Sequence, residues 1–251
     1  MERGLADRRQ LLDPICTEPE TGPALKAGPG SWLLCDHDRM STMEIDTPHG
    51  SARVHLHDAA SPRGVLVLGH GAGGGIAAKD IVEAKDVALA GSLSVALVEQ
   101  PYRVAGRRSP PPAPHLDTCW LAVVEALRGR WFHELPLVVG GRSSGARVAC
   151  RTAHLTGAAG VICLAFPLQP PQNERPAPRP SRLPELDIVR AEVLIVQGEN
   201  DHFGIPPGAP HRTVCLVPGD HSLRRGLATA APDVAEWLQR VVARSLSDGA
   251  H

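Results

Sequence analysis

From Met43 onward, short aliphatic runs alternate with stretches of helical period. Met43–Asp46 and Ala52–His57 read as short strands, and Pro48-His49-Gly50 supplies the turn between them. Val65–Leu68 is a continuous aliphatic run, the pattern of a strand buried on both faces. Val95–Val98, Leu137–Val139, Gly160–Ala165, Val193–Val196 and Val214–Val217 read as further strands. Helices are expected between them. One runs from Asp80, as its cap, to about Ala90, with Ile81, Ala84, Val87 and Ala88 on one face. Others cover Leu116–Leu127 and Ser144–Ala153, and a last one runs from about Pro232, a residue favoured in a first turn, to Leu246. Strands separated by helices predict an α/β fold: a mostly parallel, doubly wound sheet covered on both faces.

Two stretches break the rhythm. Residues 1–40 show no sustained period and carry Pro14, Pro19, Pro23 and Pro29, which predicts a poorly ordered N-terminal extension before a domain over 41–251. Residues 167–184 hold seven prolines, from Pro167 to Pro184. Such a run excludes a helical lid and predicts an extended loop.

The chain has 251 residues and 43% hydrophobic content, enough for one sizeable core. The net charge of -1 offers no basic stripe for nucleic acid and no acidic tail. The apolar runs are of strand length, far short of the roughly 20 residues that span a bilayer, so no membrane partner is expected. Met1-Glu2-Arg3-Gly4 opens no apolar signal segment. Six scattered cysteines without a C-x-x-C spacing predict free thiols in a reducing cytoplasm.

The chemistry concentrates at strand ends. Ser143 sits in Gly141-Arg142-Ser143-Ser144-Gly145, directly after the run Leu137–Gly140, where a strand should end and a helix begin. This is the G-x-S-x-G pattern of a nucleophile elbow. A serine nucleophile needs a base, the base needs an orienting acceptor, and the developing oxyanion needs donors. His221, in Pro218–Leu223 after one strand, is the candidate base. Asp201, in Gly198–Gly204 after another, is the candidate acid, with Glu199 as its rival. His202 adjoins the acid too closely to serve as its partner. His55 and His57 alternate along an early strand and read as exposed strand residues, since no third ligand stands near them. The glycines after His70 lack the Lys-Ser/Thr of a phosphate-binding loop. They suit an oxyanion hole made by the Ala72 and Ser144 N–H groups, with Gly71 as an alternative to Ala72. Arg142 and, more weakly, Tyr102 are candidate substrate contacts. No metal or cofactor is implied.

Serine, acid and histidine in that chain order, each after a strand, form the α/β-hydrolase arrangement. Further runs sharpen the match: Leu68-Gly69-His70-Gly71-Ala72-Gly73, Gln100-Pro101-Tyr102, Gly106-Arg107-Arg108, Gln197-Gly198 and Gly219-Asp220-His221-Ser222-Leu223. Over about residues 43–245 the chain resembles the dienelactone-hydrolase-related α/β-hydrolases that include testis-expressed protein 30 and the hydrolase-like region of the third regulatory subunit of the nonspecific-lethal complex. It departs from them at Ser144-Gly145-Ala146, where a Met-Gly pair usually follows the serine, and at His202, where proline is usual. It departs again at Pro206–Pro210, where a helix is often found. The residues and the resemblance together imply a lidless cytoplasmic serine hydrolase acting on a small ester or thioester. The alternative is a catalytically silent hydrolase fold that serves as an interaction scaffold, as in some of these relatives.

Overall fold

The structure is a computed structural model that describes residues 33–35, 40–170, 180–224 and 226–249. Its strands are β1 (Leu33–Cys35), β2 (Met40–Thr47), β3 (Gly50–His57), β4 (Gly64–Gly69), β5 (Leu93–Glu99), β6 (Leu137–Arg142), β7 (Gly160–Leu164), β8 (Glu192–Gly198) and β9 (Arg212–Val217). They form one sheet in the order β1-β2-β3-β5-β4-β6-β7-β8-β9. The pairs from β1 through β5 are antiparallel, and those from β5 through β9 are parallel. The helices are α1 (Lys79–Ala90), α2 (Pro101–Val104), α3 (Ala113–Leu127), α4 (Ser144–Thr156), α5 (Leu183–Asp187) and α6 (Leu227–Asp248), with a π turn at Arg128–Phe132 after α3.

Period-two alternation explains why the central strands are apolar throughout. In β4, Val65 and Val67 face one core while Leu66 and Leu68 face the other. In β8, Val193 and Ile195 oppose Leu194 and Val196 in the same way. On one face α3 and α4 bury Trp120, Val123, Val148 and Ala149. On the other, α1 and α6 bury Ile81, Ala84, Trp237 and Leu238. Each fully buried Leu, Ile or Val contributes roughly 1.5–3 kcal/mol relative to exposure. Arg151 of α4 ties the first layer together by pairing with Asp117 of α3 and Glu185 of α5.

Most predicted elements are present, with longer bounds. Four expectations change. Asp80 does not cap α1: Ala78 is the N-cap, and Asp80 is buried in the first turn. The last helix starts at Leu227, so Pro232 lies inside it rather than in its first turn. The apolar Leu227 and Ala230 are buried, and that packing extends the helix beyond the proline signal. Leu183 and Pro184, expected in an extended loop, open α5, where proline costs no helical hydrogen bond. His55 is half-buried and within 3.1 Å of Glu99 Oε2. Residues 171–179 of the proline-rich loop lie outside the described residues, as does the N-terminal extension apart from Leu33–Cys35, which adds an edge strand beside β2, and Met40, which opens β2. Among the described residues no helical lid covers the carboxyl ends of the strands, and no helix is long and apolar enough to cross a membrane.

Candidate active site

The chain leaves β4 for β5 on one side of the sheet and resumes with β6 on the other. Open α/β sheets bind ligands in the crevice where strand order reverses. The loop after β4 holds Gly71 and Ala72, and the turn after β6 holds Ser143. Both therefore sit at that crevice.

Ser143 has φ 51 and ψ -106, a conformation that is strained for any residue other than glycine. Its N–H donates to Leu164 O at 2.9 Å, which pins the turn to β7. The turn needs room below it. A Cβ at Gly145 would lie 2.5 Å from Gly69 O, so only glycine lets α4 start this close to β4. Ser144 is the first residue of α4, and its N–H has no acceptor within the helix.

Three side chains from three strand ends meet in a line. Ser143 Oγ lies 2.9 Å from His221 Nε2, and His221 Nδ1 lies 2.8 Å from Asp201 Oδ2. The bonds assign the tautomer: Nδ1–H donates to Asp201, and Nε2 accepts from the serine hydroxyl. Asp201 is buried, whereas its rival Glu199 is exposed. Asp201 Oδ1 accepts from Phe203 N–H at 2.9 Å, and Oδ2 also accepts from Gln197 Nε2 at 2.7 Å. The Phe203 ring stands edge-on to the His221 ring at 4.5 Å. The proline-rich loop is tied to this wall by Gln169 N–H donating to Phe203 O at 2.7 Å. His221 itself is set by a local turn, in which Asp220 Oδ1 accepts from Ser222 N–H at 2.8 Å and Ser222 Oγ at 2.5 Å. These bonds hold the exposed Asp220 carboxyl below its usual range.

The loop after β4 is fixed by buried His70. Its Nδ1–H donates to Gly71 O at 2.8 Å, and Nε2 accepts from Gln100 N–H at 3.1 Å. Burial lowers the His70 pKa, chiefly by desolvation, and so keeps the ring neutral. Tyr102, expected as a weak substrate contact, is buried and donates through its hydroxyl to Ala72 O at 3.3 Å. Arg142 is also engaged. Its Nε donates to Asp80 Oδ2 at 2.8 Å and its Nη2 to His221 O at 3.2 Å. The guanidinium thus braces the buried start of α1 against the His221 loop. Ser144 follows Ser143 directly, and Gly71, the neighbour of Ala72, lies against the Ser143 side chain: a Cβ built there would stand 3.6 Å from the Ser143 Cβ.

Sequence reading missed Gln197 and Asp80 as parts of this site. Gln197 is a fully buried amide ending an apolar strand, and that polar intrusion is the signal that could have found it. Asp80 reads as a cap because aspartate before an apolar helix usually is one. Its partner is remote in sequence.

The family described as alpha/beta hydrolase domain matches residues 62–245. Among solved structures, a lidless serine hydrolase from Xanthomonas campestris, XC6422, is similar over 84% of this chain and 97% of its own, with a TM-score of 0.65 and 19% identity. Est1E from Butyrivibrio proteoclasticus aligns over 80% of this chain and 99% of its own, with a TM-score of 0.66 and 16% identity. A dienelactone hydrolase from Anabaena variabilis aligns over 85% and 99%, with a TM-score of 0.61 and 13% identity. At such identities the likeness shows a shared fold. No curated protein matches the sequence.

Proposed function

The chain belongs to the α/β-hydrolase domain family, and from that footing we propose that it is a serine hydrolase cleaving a small carboxylic ester or thioester. The observation that carries this reading is the continuous hydrogen-bonded line from Ser143 Oγ through His221 to Asp201, at 2.9 and 2.8 Å. Ser143 is the nucleophile. As its Oγ attacks the acyl carbon, the hydroxyl proton passes to His221 Nε2, and Asp201 stabilises the imidazolium and holds its tautomer. The oxyanion is received by the N–H groups of Ala72 and Ser144, with the N-terminus of α4 adding its partial positive charge. Collapse expels the alcohol or thiol, which takes the proton from Nε2. Water then attacks the acyl-serine, gives its proton to His221, and releases the acid. The proton on Nε2 returns to Ser143 Oγ.

Within the family we group the chain with testis-expressed protein 30 and its relatives, on the Gly219–Leu223 run and the strand-end motifs. The free Cys119, Cys150, Cys163 and Cys215 support a reducing compartment, the cytoplasm.

The test is turnover of p-nitrophenyl acetate and of an acetyl thioester. Ser143→Ala should lower kcat by at least ~10³-fold, because triad members act as a unit. An unchanged rate in the folded variant would reject Ser143 as the nucleophile.

A further inference from the structure

Along β8, Val193 and Ile195 turn their side chains into the core beneath α3 and α4, and period two brings Gln197 to the same face. That position calls for an apolar side chain, yet it holds an amide with 0% exposure. Its Nε2 lies 2.7 Å from Asp201 Oδ2, 3.0 Å from Gly204 O and 3.2 Å from Phe166 O. Three oxygens around one nitrogen allow the amide a single orientation, since the reverse would set Oε1 against all three. Oε1 itself has no hydrogen-bond partner. Buried amide oxygens are almost always paired, which points to a side chain retained for its donor end.

Phe166 lies just past β7, and Gly204 closes the loop that begins at Gly198. These two carbonyls anchor the amide to the surroundings of the acid, and the shortest of the three bonds goes to the carboxylate. Oδ2 is also the oxygen that accepts from His221 Nδ1–H. The last torsion of an aspartate side chain is broad, so bonds rather than a rotamer well fix where the carboxylate points. Phe203 N–H holds Oδ1, and Gln197 holds Oδ2. A neutral donor does this without cancelling the charge that stabilises an imidazolium. The other ionisable groups around the pair are Glu199 and His202 in the same loop, Asp220 beside His221, and Arg142 with Asp80. Among the described residues none of them bonds to the Asp201 carboxylate.

We propose that Gln197 is a positioning residue for the Ser143 reaction. Its amide holds Asp201 Oδ2 at the point where His221 Nδ1–H meets it, and its neutrality leaves the carboxylate charge to act on His221. The role rests on the serine-hydrolase reading, while the contact itself can be measured without turnover.

The experiment combines kinetics on p-nitrophenyl acetate with NMR of the full chain. Gln197→Met, of like length but without a donor, should lower kcat about 10-fold and leave KM within ~2-fold. Gln197→Glu tests the bond: a protonated carboxyl donates to Asp201 Oδ2 as the amide does, and an ionised one repels it. Its rate relative to wild type should be highest at the lowest pH measured and fall at least ~10-fold as pH rises. The His221 Nδ1 proton should exchange with water about 10-fold faster in Gln197→Met than in wild type, because the carboxylate that accepts it is no longer held. Should Ser143→Ala leave turnover intact, the serine reading falls, and the exchange rates still decide the Asp201 contact. Gln197→Glu keeps the shape of the side chain, so it carries the test if Gln197→Met does not fold. Unchanged kcat in folded Gln197→Met, a Gln197→Glu rate ratio that does not vary with pH, or an unchanged exchange rate would each overturn the proposal.

Discussion

Replacing Arg142 tests how the site is braced. Asp80 is 1% exposed and Arg142 18%, so the pair is asymmetric: the acid depends on its partner, and the base can reach water. Arg142→Gln strands a buried carboxylate and also removes the donor to His221 O. Breaking a fully buried pair costs 3–5 kcal/mol; partial solvation at Arg142 puts the expected loss near the low end, about 3 kcal/mol. Asp80→Asn keeps an oxygen acceptor for Arg142 and should cost about 1 kcal/mol. The double variant, with a neutral amide pair, should be more stable than Arg142→Gln alone. In urea unfolding with a slope near 3 kcal/mol/M, the Arg142→Gln midpoint should fall by about 1 M. The pH dependence has a definite sign. Desolvation already raises the Asp80 pKa, and Arg142 opposes that rise. Without Arg142 the folded-state value climbs further above the unfolded one. The penalty is therefore full at neutral pH and shrinks as pH falls through the folded-state titration of Asp80, since protonation removes the unpaired charge. A larger loss for Asp80→Asn than for Arg142→Gln, or a gap that does not change with pH, would refute the reasoning.

Asp201→Asn should lower kcat by up to ~10⁴-fold while the protein stays folded, and Glu199→Gln should do little; rates for both on one ester check this, and a larger loss at Glu199 would reassign the acid. His70 should impose an acid limit on stability: its folded-state pKa is lowered by burial, so its contribution is whole above the unfolded value of about 6.5 and is lost as pH falls below it, by at most ~1.4 kcal/mol per pH unit. Chemical denaturation from pH 7.5 to 5 should show a shallower slope for His70→Gln than for the wild type, and equal slopes would mean that the buried ring does not control it.

The parallel half of the sheet is legible in the sequence because strands covered on both faces must be aliphatic at consecutive positions, as Val65–Leu68 and Val193–Val196 are. Ser143, Asp201 and His221 stand out in the sequence because each follows a strand-like run, although β9, before His221, is a partly exposed edge strand. Other features depend on partners far away in the chain. Asp80 reads as a local cap until β6 brings Arg142 to it. Leu227 and Ala230 extend α6 past the proline signal because the opposite core covers them. Arg142 and Tyr102 read as candidate substrate contacts, whereas the structure engages them with Asp80, His221 and Ala72, partners remote in sequence. The short helices α2 and α5 carry too few residues for a period to show.

The central claim is that Ser143 is an activated nucleophile, and covalent trapping tests it most directly. The full chain is treated with a fluorophosphonate, and the adduct is located by mass spectrometry of the digested protein. One phosphonyl group on Ser143 is expected, absent from Ser143→Ala and strongly slowed in His221→Ala. Folded wild-type protein that takes up no label, or a label that persists at Ser144 or elsewhere in Ser143→Ala, would contradict the account.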